Sequence, residues 1–196
     1  MARICCTNCN RPEKSCICRF TSPVENIPLV VVLQHVSEVK QSKGTVALLS
    51  QSLSRCIVLT GEDFSENIEL NRILEQYRNQ VLLVYPSEQA ESIPSLKKNG
   101  DSASYGCVIL LDGTWKKAYK MYMLAKNLHN ITHIRLPENI EGQYKIRKTM
   151  KKNALSTLEA CCYALGLLEQ SPEKYQALLN EFIKFNEFQL SFKPTN

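Results

Sequence analysis

Four consecutive branched aliphatic residues, Val108 to Leu111, run directly into Asp112-Gly113-Thr114-Trp115 and then into a basic stretch that continues to Tyr122. No polar residue interrupts the run, so a strand here is buried on both faces, the condition of a strand inside a parallel sheet covered by helices. Gly113 permits the sharp exit that Asp112 begins. The expectation is strand, tight turn and helix. In open α/β sheets the ligand crevice lies at the carboxyl ends of the strands, where a helix amino terminus adds free backbone N–H groups.

The rest of the chain repeats the pattern. Apolar runs at Ile27 to Leu33, Arg55 to Thr60, Val81 to Tyr85 and Ile131 to Leu136 read as strands, with Pro86 and Pro137 halting the last two. Between them lie helical periods. Thr45 is placed to cap a helix over VALLSQSL, and Glu66 to Gln76 carries Ile68, Ile73 and Leu74 on one apolar face. Ser87 and Glu88 open a short turn or helix. From Asn153 the pattern is helical again, with Leu155, Leu158, Ala164, Leu165 and Leu168 on one side, and Pro172 starts a last helix reaching about Phe188. Residues 95–106 read as a surface loop, and 138–152 as a basic loop wrapping the site. Alternating strands and helices predict an α/β fold with a mainly parallel sheet.

A chain of 196 residues buries a proper core as one domain with at most one small appendage. No apolar stretch approaches the roughly 18 residues of a membrane span, and the amino terminus lacks a signal-peptide core, so a cytoplasmic protein without a membrane partner is expected. The net charge is +5, unevenly spread. Residues 113–152 hold ten Lys or Arg against Glu138 and Glu141, which makes that window +8 and the remainder −3. A basic run can be a solvated helix face, but this one flanks the expected crevice, which points to a polyanion such as RNA.

Five of nine cysteines, Cys5, Cys6, Cys9, Cys16 and Cys18, crowd the first eighteen residues. Cys6-x-x-Cys9 and Cys16-x-Cys18 are two close pairs separated by a polar loop with Arg11 and Pro12. Such pairs suit a tetrahedral thiolate site for zinc; two disulfides are the other arrangement, which a reducing compartment disfavours. Cys5 is left over. A small zinc module over 1–22 and a main domain over 23–196 follow. Cys56, Cys107, Cys161 and Cys162 sit in apolar segments as small core residues.

The common chemical motifs are absent: no GxGxxG after the first strand, no GxxxxGK[ST], no HExxH and no GxSxG. His35, His129 and His133 show no metal-ligand spacing. By elimination the acting groups are Asp112, Thr114 and Trp115, with Thr157 and Glu159 as candidates to support them. The residues alone describe a zinc-bearing α/β protein with a site leaning toward nucleic acid.

LLDGTWKKAYKM, holding Asp112-Gly113-Thr114-Trp115, resembles the signature of the DTW-domain family, bacterial tRNA-uridine aminocarboxypropyltransferases and their relatives. The resemblance extends to the CxxC and CxC pairs around Arg-Pro, to QHxSEVKxxKGT at 34–45, to Tyr85-Pro86-Ser87, to YKIRK at 144–148 and to STLEA at 156–160. Val36 departs from it, standing where many relatives carry proline after the histidine.

The resemblance implies a fold related to the SPOUT-type trefoil-knotted methyltransferases, S-adenosylmethionine as cofactor, and tRNA as partner. The implied reaction moves the 3-amino-3-carboxypropyl arm of the cofactor to N3 of a uridine, releasing methylthioadenosine. Asp112 is then either the base for the weakly acidic N3 proton or the anchor for the amino group of that arm; an Asp that merely caps the turn is the structural alternative. Thr114 is a cap or a cofactor hydroxyl. Trp115 lines the cofactor pocket, stacks on a base, or is core. Tyr85, Pro86, Ser87, Leu136, Tyr144, Ile146 and Thr157 are the expected cofactor contacts. Lys116, Lys117, Lys120, Arg147 and Lys148 are the expected phosphate contacts. A related ribosomal-RNA enzyme, an RNA methyltransferase, and a non-catalytic zinc-bearing RNA-binding protein are the alternatives, and the oligomeric state is left open.

Overall fold

The computed structural model describes residues 4–9, 11–41, 44–93, 105–137, 140 and 155–192. Six strands, β1 (Leu29–His35), β2 (Cys56–Gly61), β3 (Val81–Val84), β4 (Glu91–Ser92), β5 (Cys107–Asp112) and β6 (Thr132–Arg135), form one sheet in the order β2-β1-β5-β3-β6-β4. Every pairing is parallel. The strand ends therefore share one edge of the sheet, as the apolar runs predict. β4 has only two residues and no apolar run to betray it. Tyr85 falls just beyond β3 rather than within it.

The helices are α1 (Val46–Ser52), α2 (Ile68–Tyr77), α3 (Trp115–Leu124), α4 (Thr157–Glu169) and α5 (Gln176–Leu190). They cover both faces of the sheet. Val30, Val32, Val108 and Leu110 point to a core shared with α1, α4 and α5, whereas Val31, Leu33, Cys107 and Ile109 point to one shared with α2 and α3. Alternate side chains of a strand go to opposite faces, so a continuous aliphatic run serves both cores.

This arrangement locates the crevice. β1 and β5 are neighbours, yet the chain leaves β1 toward α1 on one face and leaves β5 toward α3 on the other. Such divergence is the topological switch point at which open α/β sheets bind ligands. The ends of β1 and β5 carry His35 and Asp112.

The amino-terminal segment joins the first core. Ile17 and Phe20 are buried there with Phe182 and Phe185; Phe20 meets Phe185 edge-on at 5.9 Å between ring centroids, and Arg19 lies 4.1 Å over the Phe188 ring.

Several local expectations change. Thr45 does not cap α1: its backbone is already helical and its side chain makes no capping bond. Ile68 is 85% exposed, and the buried stripe of α2 is Leu70 and Ile73 with Leu74 and Tyr77 beside it. Ile68 is two residues from Leu70, which on a helix is nearly the opposite side. α4 begins at Thr157, its cap being Ser156, later than the expected start at Asn153, which itself lies outside the described residues. Pro172 opens a 3-10 turn, Pro172–Tyr175, before α5. The loops expected over 95–106 and 138–152 fall mostly outside the described residues. No helix among the described residues is long and apolar enough to cross a membrane.

Candidate active site

Gln34 and Asp112 are register partners on β1 and β5, the last positions of the row that begins with Val30 beside Val108 and Val32 beside Leu110. An apolar row thus ends in a polar pair at the sheet edge. Gln34 Nε2 donates to Asp112 Oδ2 at 2.9 Å, and Thr157 Oγ1 donates to Asp112 Oδ1 at 2.6 Å. Each carboxylate oxygen has one side-chain donor. An ionised carboxylate accepts at about four lone-pair positions, so about two remain for a ligand.

The amino terminus of α4 is built to hold Thr157 in place. Ser156 Oγ accepts from the Glu159 backbone N–H at 3.2 Å, and Glu159 Oε2 accepts from the Ser156 N–H at 2.8 Å, closing a capping box. Glu159 is fully buried. The STLEA segment is therefore one device in which serine and glutamate fix the turn and threonine reaches across to β5.

On the other side of Asp112 the chain enters α3. A Cβ on Gly113 would stand 3.1 Å from Lys117 Cβ and 3.7 Å from His35 Cβ, so glycine lets the helix start against the end of β1. Thr114 is the N-cap, its side chain accepting from Lys117 N–H at 3.4 Å. Trp115 is 47% exposed at the first helical position, which removes the core reading. Lys117 Nζ donates to Ser37 Oγ at 2.6 Å and Glu38 Oε1 at 2.8 Å; Lys120 Nζ donates to Glu62 Oε2 at 2.8 Å. The Ser37 N–H donates to His35 Nδ1 at 3.2 Å, which leaves Nε2 to donate to Glu62 Oε1 at 3.0 Å. Lys120 and His35 together hold the Glu62 carboxyl below its ordinary pKa. Lys117 and Lys120 thereby tie the loops after β1 and β2 to α3, while Lys116 projects to solvent.

The Tyr85-Pro86-Ser87 turn is supported by His133. Ser87 Oγ and Gln89 Nε2 donate to His133 Nδ1 at 2.7 and 3.2 Å, and Nε2 donates to the Leu128 carbonyl at 3.3 Å. Burial pushes this imidazole's pKa down, and His129 pushes it the same way. Tyr85 stacks on Tyr122 of α3 at 4.8 Å, and Tyr122 meets His133 edge-on. Leu136 follows β6 beside this turn's strand. Tyr144, Ile146, Arg147 and Lys148 lie outside the described residues.

The four amino-terminal cysteines converge. Cys6, Cys9, Cys16 and Cys18 place their Sγ atoms within 4.8 Å of one another, with Cys6 and Cys18 3.7 Å apart and Cys9 and Cys16 3.8 Å apart. Sulfurs about 2.3 Å from a tetrahedrally coordinated zinc are about 3.8 Å from each other, whereas a disulfide needs about 2.05 Å. All four are free thiols. The donor set fits zinc. Backbone N–H groups of Cys9 and Asn8 lower the Cys6 thiol to about 6, and burial with the neighbouring thiols pushes Cys18 up to about 12. Thiols this close cannot all ionise without a cation. Cys56, Cys107, Cys161 and Cys162 are buried or half-buried in the cores, as expected of small apolar residues, whereas Cys5 is exposed.

A family model described as the DTW domain matches residues 3–190. The chain belongs to the DTW-domain family. Among similar proteins is one from Drosophila melanogaster named tRNA-uridine aminocarboxypropyltransferase 2, 33% identical over 192 residues, which cover 94% of this chain and 74% of that relative. Proteins of the same name from Macaca fascicularis and Mus musculus are each 30% identical over 190 residues, covering 94% of this chain and 63% of theirs. No solved structure matches.

In this DTW-domain chain three of the motifs scattered through the sequence meet at the β1/β5 switch point. Residues 34–45 supply Gln34 and Glu38, 112–115 the carboxylate and the cap, and 156–160 the threonine. Two working residues escape a reading by residue type, Gln34 and His133. Gln34 shows itself only as the first polar residue of a buried strand, where the 34–45 motif begins, and His133 sits in the short strand THIR with its side-chain partners Ser87 and Gln89 46 and 44 positions away.

Proposed function

We propose that this chain is a tRNA-uridine aminocarboxypropyltransferase that transfers the 3-amino-3-carboxypropyl group of S-adenosylmethionine to N3 of a uridine. The observation that carries the reading is Asp112, held by Gln34 and Thr157 at the switch-point crevice of a DTW-domain chain. The names of the relatives support the same reaction.

Residues around the crevice fit the donor. Tyr85, Pro86 and Ser87, on a turn anchored by His133, and Leu136 after β6 would flank an adenosine, with Tyr144 and Ile146 as the further contacts that the family resemblance implies. When bound, S-adenosylmethionine supplies a sulfonium leaving group, which departs as the neutral thioether methylthioadenosine while its γ-carbon is taken by uridine N3.

Asp112 acts on the acceptor. Its remaining lone pairs accept the N3 proton, leaving the nitrogen pair to form the new bond. Gln34 and Thr157 fix the carboxylate's orientation, and Thr114 fixes the start of α3, from which Trp115 is exposed to stack on a base. Lys116, Lys120, Arg147 and Lys148 meet phosphates, with Lys117 holding the loop after β1 in reach. The zinc module, residues 1–22, is a structural unit of this RNA-binding surface.

The test is to incubate the protein with an unmodified tRNA transcript and S-adenosylmethionine, then weigh the digested nucleosides. A uridine carrying an aminocarboxypropyl group, absent with Asp112→Ala, is the expected result. A methylated uridine would overturn the orientation of the donor, and product on ribosomal RNA alone would overturn the acceptor.

A further inference from the structure

Beside Asp112, on the side of β1 and β2, lies a hollow of about 240 Å³. Gln34 at the end of β1 lines it, together with Val58 of β2, Val46 and Ala47 of α1, Glu38, and Arg11 from the cysteine module. The same Gln34 side chain donates to Asp112 Oδ2, so one residue is shared between the hollow and the carboxylate.

The lining identifies the class of ligand. Val46, Ala47 and Val58 give apolar walls suited to the faces of a flat ring, while Arg11 and Gln34 offer N–H donors to its edge. Ligand pockets for drug-sized molecules run to about 300–1,000 Å³, so this smaller hollow suits a single heterocycle and not a whole nucleoside cofactor. Glu38, also in the lining, is paired with Lys117, so the donors Arg11 and Gln34 select the ligand and favour a ring with carbonyl acceptors.

Strand order adds direction. The hollow lies on β2 and β1, the Tyr85 turn follows β3, and β5 with Asp112 runs between β1 and β3. Asp112 therefore stands between two sites. We infer that the hollow receives the acceptor uracil, with Arg11 and Gln34 at its carbonyl oxygens, so that the cysteine module contributes directly to the acceptor site. This rests on the reaction proposed above. The N3 atom is on the base-pairing edge of uridine, and enzymes that act on that edge take the base out of its pair into a fitted pocket.

The test combines turnover with a readout that does not need it. Wild-type product from a tRNA transcript decides the underlying reaction. Given product, Ala47→Phe fills the hollow and Arg11→Ala removes its cation; each is expected to lower kcat/KM for tRNA about a hundredfold, the scale of a misplaced reactant, with S-adenosylmethionine affinity and melting temperature unchanged. A folded Ala47→Phe protein with undiminished kcat/KM would overturn the inference. Independently, tRNA transcribed with 4-thiouridine is photo-crosslinked to the wild-type chain and the adducts are mapped. An adduct within residues 34–58 or at Arg11 supports the site even if no product forms, and adducts confined to other segments refute it even if product does.

Discussion

Thr157 Oγ1 lies 2.6 Å from Asp112 Oδ1, joining the first turn of α4 to the last residue of β5 across 45 positions of sequence. The bond ties the Asp112 turn to the 156–160 segment at the point where the chemistry is proposed. It depends on the capping box beneath it, because Ser156 and Glu159 set the rotation of the first helical turn and so the direction of Thr157. A surface cap would be replaceable; this one is buried with Glu159, so its loss leaves orphaned donors away from water.

Substitution should separate the carboxylate from its support. Asp112→Asn keeps the shape and removes the base, and product formation is expected to fall by about 10²–10⁴-fold. Thr157→Val leaves Asp112 with Gln34 alone; a hydrogen bond to a charged group is worth about 1.5–3 kcal/mol, so a loss of roughly 10- to 100-fold in kcat is expected, with Thr157→Ser restoring most of it. Single-turnover rates check both. Equal losses in the valine and serine variants would mean that Thr157 acts through packing.

The turn after β3 should respond to acid through His133. Its Nδ1 accepts from Ser87 and Gln89 while Nε2–H binds a carbonyl, a pattern that requires the neutral ring. Burial lowers the folded-state pKa below the ordinary 6.5. The unfolded ring takes its proton at the higher pH, so this stability is fully present above the unfolded value and is lost as pH falls through the folded one. S-adenosylmethionine binding, measured by calorimetry, is expected to weaken as the pH falls below the ordinary imidazole value of 6.5, and His133→Gln to flatten that dependence. A variant with the wild-type acid loss would move the effect to another group.

Much of this was legible from residue pattern, and the reasons are physical. β1 and β5 announce themselves because a strand buried on both faces must be apolar at every position, and the end of such a run marks the sheet edge where Asp112 stands. The cysteine pairs are legible because small structural zinc modules take their ligands in closely spaced pairs. Pairings across long separations are not. Nothing in the composition of β1 joins Gln34 to Asp112, and Lys117 and Lys120 read as open phosphate contacts until Glu38 and Glu62, 79 and 58 positions away, arrive beside them. Ile68 and Thr45 mislead for a local reason: period and residue type suggest a face or a cap, but packing decides which residue at a helix start is turned inward.

Those ion pairs divide the lysines of α3. Lys116 is exposed, and the Lys120 pair with Glu62 is itself exposed enough to exchange for a phosphate at little cost. Lys116→Glu and Lys120→Glu are each expected to weaken tRNA binding and to flatten its salt dependence by about one contact. Lys117, shared by Ser37 and Glu38, should behave differently. Lys117→Ala is expected to lower turnover by loosening the loop after β1 while leaving the salt slope of tRNA binding unchanged. Filter binding across a range of salt concentrations distinguishes them, and a reduced slope for Lys117→Ala would make it a phosphate contact after all.

The cysteine module should couple metal to stability, because its ligands are continuous with the core. Ile17 lies between Cys16 and Cys18 and is fully buried, and Phe20, two residues after Cys18, packs against Phe185 and Phe188 of α5. Zinc that fixes the four sulfurs also fixes these two side chains. The purified protein is expected to hold about one zinc per chain, and Cys16→Ser with Cys18→Ser to lose it. Chelation should lower the melting temperature of the whole domain, since metal-binding free energy in such a site is folding free energy. Because the ligands bind as thiolates, acid competes with the metal, so zinc release should grow as pH falls. Atomic absorption and thermal melts with and without chelator measure both effects. A chain that melts identically with and without its metal would show that Ile17 and Phe20 hold the module in place unaided.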